Sequence, residues 1–284
     1  MNYKTSRIIK RILLNIPLAI GAIIMLAPLV WMLSTAISPN SFLPRQTLMP
    51  DWQNLTLQNF VDAWNFPSAT TEGLTMGRFF LNTVIMTVCI VIGGLLFDSM
   101  AGYVIARKEF PGRTFFGFLA LSTLMVPFYV TAIPQYLIVK DLGWMNTFQA
   151  LIVPSLASGM GIHLFRSHFR SVPIELEECA KLDGASDFRI FFSVMIPISK
   201  PIIGTMTTLK AMWSWNQFLW PLIVINDKTM YTIQQGLTFF QGLAVTQYGY
   251  LCAGMTLAIL PLLVVFLCMQ NFFIGGLTAG AVKG

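Results

Sequence analysis

The chain has 284 residues, of which 55% are hydrophobic and only 11% charged, and it carries a net charge of +6. A soluble domain with one core has no use for that much apolar surface, so the composition argues against a globular cytosolic protein and for a membrane protein. The positive charge is no nucleic-acid signal, because it collects in short segments between long apolar runs.

In chain order, Lys4, Arg7, Lys10 and Arg11 precede an apolar run over 12–37. That start resembles a signal peptide, but the run is about 25 residues, longer than a signal core, and has no small-x-small cleavage site, so it reads as a retained first span. The polar segment 38–77 follows, where Trp52, Phe60, Trp64 and Phe66 suit either a partner-binding surface or aromatic anchors at the bilayer edge. Further spans are expected at 79–106, 114–139 (broken by Pro127 and Pro134), 147–165, 202–225 and 250–274. The fold class is therefore all-α, a polytopic membrane protein of six transmembrane helices in one domain, with both termini on the same side. With the N-terminus inside, the inner segments hold Lys4, Arg7, Lys10, Arg11, Arg107, Lys108, Arg113, Arg166, Arg170, Lys181, Arg189, Lys200 and Lys283. Only Arg45, Arg78, Lys140 and Lys228 lie outside, 13 against 4, and Lys210 falls within a span. The excess orients the chain N-in and C-in.

Three polar features interrupt the apolar runs. Asp98 sits inside the second span, where a carboxylate either pairs with a base or lines a wet pathway. Leu209 to Val224, LKAMWSWNQFLWPLIV, places Trp213, Trp215, Asn216 and Gln217 together in the fifth span. Indole rings stack on sugar faces and amides bond hydroxyls, so these four are the candidate substrate-pathway residues; helix packing would use the same side chains. The third feature is the loop 171–200, containing PIELEECAKLDGASDFRIFFSVMIPISKP from Pro173. Glu175, Glu177 and Glu178 favour a helix start, Gly184 suits a left-handed stop, and Ser186 caps a second helix that Pro197 is expected to break. Such a helix pair is too short to span a bilayer and too apolar for a solvated loop, which reads as a docking element for another protein.

No catalytic set emerges. The chain has no G-x-x-x-x-G-K-[ST] phosphate loop, and Cys89, Cys179, Cys252 and Cys268 have neither disulfide nor zinc spacing. His163 and His168 lack a carboxylate or cysteine partner at ligand spacing, so no metal site is expected.

Glu178, Cys179 and Ala180, then Gly184, then Val194, Ile196 and Pro197 resemble the EAA loop, EAA-x3-G-x9-I-x-L-P, of the membrane subunits of binding-protein-dependent ABC importers. The departures are Cys179 for Ala, Val194 for Ile and Ile196 for Leu, each conservative in size or polarity. AGYVIARKEFPGR, from Ala101 to Arg113, resembles the second cytoplasmic loop of the carbohydrate-importer branch, and GGLTAGAVKG, from Gly275, resembles the C-terminus of its maltose-type second permease. The resemblance covers essentially the whole chain. It implies a non-enzymatic permease subunit of the bacterial cytoplasmic membrane, working with a second homologous permease, two cytoplasmic ATPase subunits and an extracytoplasmic solute-binding protein. ATP and Mg would be bound by the ATPases and not by this chain. Glu178, Ala180, Asp183, Gly184, Ala185 and Pro197 would couple to the ATPase, and Gly276, Thr278, Gly280 and Lys283 would reach it from the C-terminal tail, 275–284. The cargo implied is a small polar substrate, a sugar or oligosaccharide, with glycerol-3-phosphate or another polyol phosphate as the alternative. A lone secondary transporter would leave the docking helices unused, and a membrane enzyme would need a reactive cluster.

Overall fold

The computed structural model describes residues 3–41, 43–66, 74–241 and 246–281, with the side chains of 3–13 and 271–281 left out of account. The described residues form helices and connecting loops, with no strand among them. In chain order the helices are α1 (Tyr3–Ala36), α2 (Gln58–Asn65), α3 (Met76–Arg107), α4 (Arg113–Ser122), α5 (Phe128–Asp141), α6 (Phe148–Ile152), α7 (Gly159–Ser171), α8 (Glu175–Leu182) and α9 (Asp187–Ile190). They continue as α10 (Ile196–Ile198), α11 (Lys200–Trp215), α12 (Leu219–Val224), α13 (Ile233–Leu237) and α14 (Tyr248–Ala281).

Four stretches are long and apolar enough to cross a bilayer: Leu14–Ala36, Met76–Arg107, Phe148–Ser171 and Tyr248–Gln270. Two bent pairs bring the number to six if each is one span. Arg113–Met125 and Phe128–Asp141 meet at 106° around Pro127, whose ring cannot continue the preceding turn. Asp187–Ile198 and Lys200–Trp215 meet at 81°.

Three of the helix ends bear on the sequence reading. The second docking helix does not end at Pro197: Phe191–Met195 widens into a π turn, Pro197 sits in the first turn of α10 where its missing N–H is harmless, and the chain bends at Ser199. The expected span 202–225 is broken after Trp215, because Asn216, Gln217 and Phe218 leave helical geometry before α12 begins. The last helix also runs past the expected boundary at 274, continuing through Ala281.

The chain falls into two compact units. In the first, residues 1–77 with 236–260, Asn59 Nδ2 donates to the carbonyls of Ala36 and Ser38 at 2.8 and 2.6 Å, fastening α2 to the end of α1. Phe66 packs edge-on against Phe240 and Tyr250, whereas Trp52 is exposed. In the second unit, 78–235 with 261–284, two cores stand out among the described residues. One gathers Met86, Ile90, Leu151, Trp220 and Val224 from α3, α6 and α12. The other gathers Tyr103, Phe165, Phe169, Ile190, Phe191 and Met195, seating the docking helices on α3 and α7.

Candidate functional site

The loop between α7 and α11 is built as a double helix stop and start. Glu175, Glu177 and Glu178 occupy the first turn of α8, where the exposed N–H groups favour negative charge. At its other end Gly184 N–H bonds Lys181 O at 2.9 Å and Ala185 N–H bonds Ala180 O at 3.0 Å, the paired closure of a Schellman motif. This closure requires a left-handed residue, and Gly184 has φ +76°. Ser186 then accepts the Arg189 N–H and caps α9.

The faces of this loop differ. Ala180 and Ala185 pack toward the Phe165–Phe191 core, and Glu178, Cys179 and Asp183 are exposed. Ile174, Leu182 and Phe188 also stand out, at 52%, 89% and 67% exposure. Exposed apolar side chains on a short helix pair are the kind of surface that marks an interaction site.

Glu177, read from sequence only as a helix-start charge, is the one of the three glutamates that is buried. Arg107 Nε lies 3.0 Å from Glu177 Oε1, and Tyr103 donates its hydroxyl to Oε2 at 3.2 Å. Arg107 also donates to Val172 O, and Lys108 pairs with Asp187. The hydrogen bond and charge of Lys108 hold the Asp187 carboxyl below the usual aspartate range, so that pair is intact at neutral pH. The segment 101–113 thus has a physical explanation. Gly102 lets α3 approach α7, since a Cβ there would lie 2.7 Å from Phe165 Cβ and 2.9 Å from Arg166 N. Gly112 turns at φ +84°, and Arg113 donates to Ile105 O and Ala106 O, capping the end of α3. The signal for Glu177 was present, because it lies three residues from Ala180 on one helical face. His168 Nε2 lies 3.0 Å from Ser199 Oγ, next to the bend into α11.

Deeper in the second unit, Asp98 is fully buried and Lys210 nearly so, and the two meet at 2.8 Å. Asp98 also accepts the backbone N–H and the hydroxyl of Ser158, both at 2.8 Å, while Ser158 Oγ caps α7 by accepting the Gly161 N–H. A Cβ on Gly161 would overlap the Asp98 carboxylate, and one on Gly94 the Lys210 ammonium. Three helices, α3, α7 and α11, are joined at this one pair.

Of the four residues picked from the fifth span, the structure brings two to a cavity. Trp213 and Gln217 line a space of about 390 Å³ with Phe128, Tyr129, Gln135 and Ser155. Gln217 Oε1 is buried and has no hydrogen-bond partner among the described residues. Trp215 is instead buried at 4% exposure, edge-on to Phe80 at 5.5 Å, and Asn216 folds back so that Nδ2 donates to Met212 O at 2.8 Å. Within α11, Trp213 and Trp215 are two residues apart and so point to different sides, whereas Gln217 reaches the cavity from the break after the helix end. Among the described residues, no charged side chain lines the cavity. Of the tail positions, Gly276, Thr278 and Gly280 lie in the helical backbone of α14 outside the described side chains, and Lys283 lies outside the described residues; Lys4, Arg7, Lys10 and Arg11 lie in the backbone of α1, likewise outside the described side chains.

Comparison with known proteins adds to this geometry. The family described as "Binding-protein-dependent transport system inner membrane component" matches residues 98–275, which span α7, the docking loop, α11 and most of α14. The arabinooligosaccharides transport system permease protein AraQ of Halalkalibacterium halodurans is 36% identical over 286 residues, covering 100% of both chains. The sn-glycerol-3-phosphate transport system permease protein UgpE of Brucella abortus is 31% identical, covering 96% of this chain and 97% of that one. A chain from the crystal structure of a bacterial ABC transporter involved in the import of the acidic polysaccharide alginate has the same fold, with a TM-score of 0.83 at 23% identity, over 96% of this chain and 99% of that one.

Proposed function

This chain belongs to the family of binding-protein-dependent transport system inner membrane components, and from that premise we propose that it forms, with a second related permease, the translocation pathway of an ATP-driven sugar or oligosaccharide importer. As a family member it is a multi-pass membrane transport subunit. The N-in and C-in orientation places the loop 171–200 on the side of the cytoplasmic ATPases, in keeping with the 13 to 4 distribution of basic residues. Two such ATPase subunits bind ATP and Mg, and a solute-binding protein delivers cargo from the other side. Glu178, Ala180, Asp183, Gly184, Ala185 and Pro197 form the loop that the ATPases engage: Gly184 sets the angle between its helices, Ala180 and Ala185 seat it, and Glu178 and Asp183 face outward. Gly276, Thr278, Gly280 and Lys283 form the second contact.

The observation that carries the substrate class is the neutral cavity at Trp213 and Gln217. Aromatic faces beside Gln135, Ser155 and Gln217 suit hydroxyl-rich, uncharged rings. Lys210, the intramembrane cation that a phosphate would need, is held by Asp98 and does not line the cavity. Similarity to UgpE keeps polyol phosphate as the competing substrate. Uptake by the complete complex in vesicles, with arabinotriose, maltotriose and glycerol-3-phosphate as competing cargoes, tests the reading. Accumulation of a neutral sugar is expected, and accumulation of glycerol-3-phosphate alone would overturn the sugar assignment.

A further inference from the structure

Resting on the reading that the loop 171–200 receives the ATPase, we propose that Glu177 and Arg107 are positioning residues that join this loop to α3, so that one loop movement drives three helices and not only the two to which it is covalently tied. The loop continues directly from α7 and into α11, and those two peptide connections alone would leave α3 to follow passively. The side chains supply the third connection. Arg107 holds the loop twice, through Glu177 in α8 and through Val172 O just before it. Tyr103, one turn earlier on α3, donates to the other oxygen of the same carboxylate. Lys108 reaches across to Asp187 at the start of α9, so both docking helices are tied to the end of one span.

The form of this attachment matters more than its strength. Burying an ion pair is expensive, and apolar residues of the same size would hold a loop as firmly. Apolar contacts, however, let surfaces slide, whereas the directional hydrogen bonds from Tyr103 to Glu177 Oε2 and from Arg107 to Val172 O, with the Arg107–Glu177 charge contact between them, fix α8 in direction and in register. Glu177 is 3% exposed and the Arg107 side chain 7%, so water does not screen this charge contact. At the far end of α8 Leu182 stands out at 89% exposure. A push on that end therefore passes through α8 to Glu177, Arg107 and the end of α3. At the Asp98–Lys210 pair α3 meets α7 and α11 again, so the three helices are joined at both levels.

The test uses the assembled complex in vesicles, with whichever sugar of the panel above the wild type accumulates. Arg107→Gln and Glu177→Gln should keep the ATPase bound and hydrolysing ATP, while sugar taken up per ATP falls by about 2- to 30-fold, the range of a lost coupling contact. The charge-swapped double variant Arg107→Glu with Glu177→Arg should recover most of that loss, which a merely structural role would not produce. Tyr103→Phe should give a smaller fall. A second measurement needs no variant of the pair: spin labels at the exposed Glu109 and Glu175 should keep their separation when an ATP analogue binds the wild-type complex. Uptake per ATP unchanged in both single variants, or a label separation that changes in the wild type, would overturn the proposal. If the single variants fail to assemble, the label measurement decides alone. A cross-link from Leu182→Cys to the ATPase separates the two readings: its absence strikes the docking assignment itself, and its presence with normal coupling in the variants strikes only the connection to α3.

Discussion

Asp98 and Lys210 show how one contact changes the meaning of a residue. Each alone is a charge inside a span and so a candidate for the pathway; together, with Ser158, they are a satisfied junction. Removing one partner of a buried pair typically costs about 3–5 kcal/mol because the other charge is left unpaired. Asp98→Asn and Lys210→Met should each lower the melting temperature of the purified subunit, and the double variant should recover most of the loss. Additive losses in that cycle would mean that the pair is not coupled. At Gly184 the cost is purely conformational, since nothing lies within 4 Å of where a Cβ would stand. Gly184→Val should cost about 1–3 kcal/mol of strain and re-aim α9, whereas Gly184→Asn, which tolerates a left-handed backbone, should cost less. Pull-down of the ATPase should weaken in the order Asn, then Val, with insertion retained; equal pull-down for both would show that the turn geometry is not used.

The break between α11 and α12 turns a simple span into two pieces whose side chains have different duties. Trp213 and Gln217 face the cavity, while Trp215 packs on Phe80 and Asn216 closes the helix end. Trp213→Ala or Gln217→Ala should therefore depress sugar uptake and leave the stability of the subunit nearly unchanged. Trp215→Ala should instead destabilise it by about 3–5 kcal/mol through the cavity it opens. Thermal unfolding measured beside uptake separates the two outcomes, and a stability loss at Trp213 equal to that at Trp215 would assign both to packing. The docking helices follow the same division between faces, with Glu177 turned inward and Glu178 outward one residue later.

For the assembled chain, the 13 to 4 distribution of basic residues predicts an N-in and C-in orientation. Reporter fusions after Gly284 and within 171–200 should read cytoplasmic, and fusions within 38–77 external. An external reading in the docking loop would remove the ATPase-coupling assignment, because the ATPases and the loop would then lie on opposite sides of the membrane.

Membership in the all-α, multi-spanning class was legible from composition and from apolar run length, since a bilayer demands about 20 apolar residues per helix wherever the chain crosses it. The helix–turn–helix form of 171–200 was legible for a related reason: Glu175, Gly184 and Ser186 are local signals, each acting within one helical turn of itself. What could not be read was everything decided by neighbours far along the chain. Pro197 is a stop by local rules, yet the chain carries it inside a short helix and bends at Ser199. Asp98 finds Lys210 across more than a hundred residues, Arg107 finds Glu177 across seventy, and the cavity at Gln217 draws its other walls from α5 and the turn after α6. Propensity and periodicity report which face of a helix is apolar, but a buried charge is stabilised only by the partner that packing brings to it, and that partner is fixed by the tertiary arrangement alone.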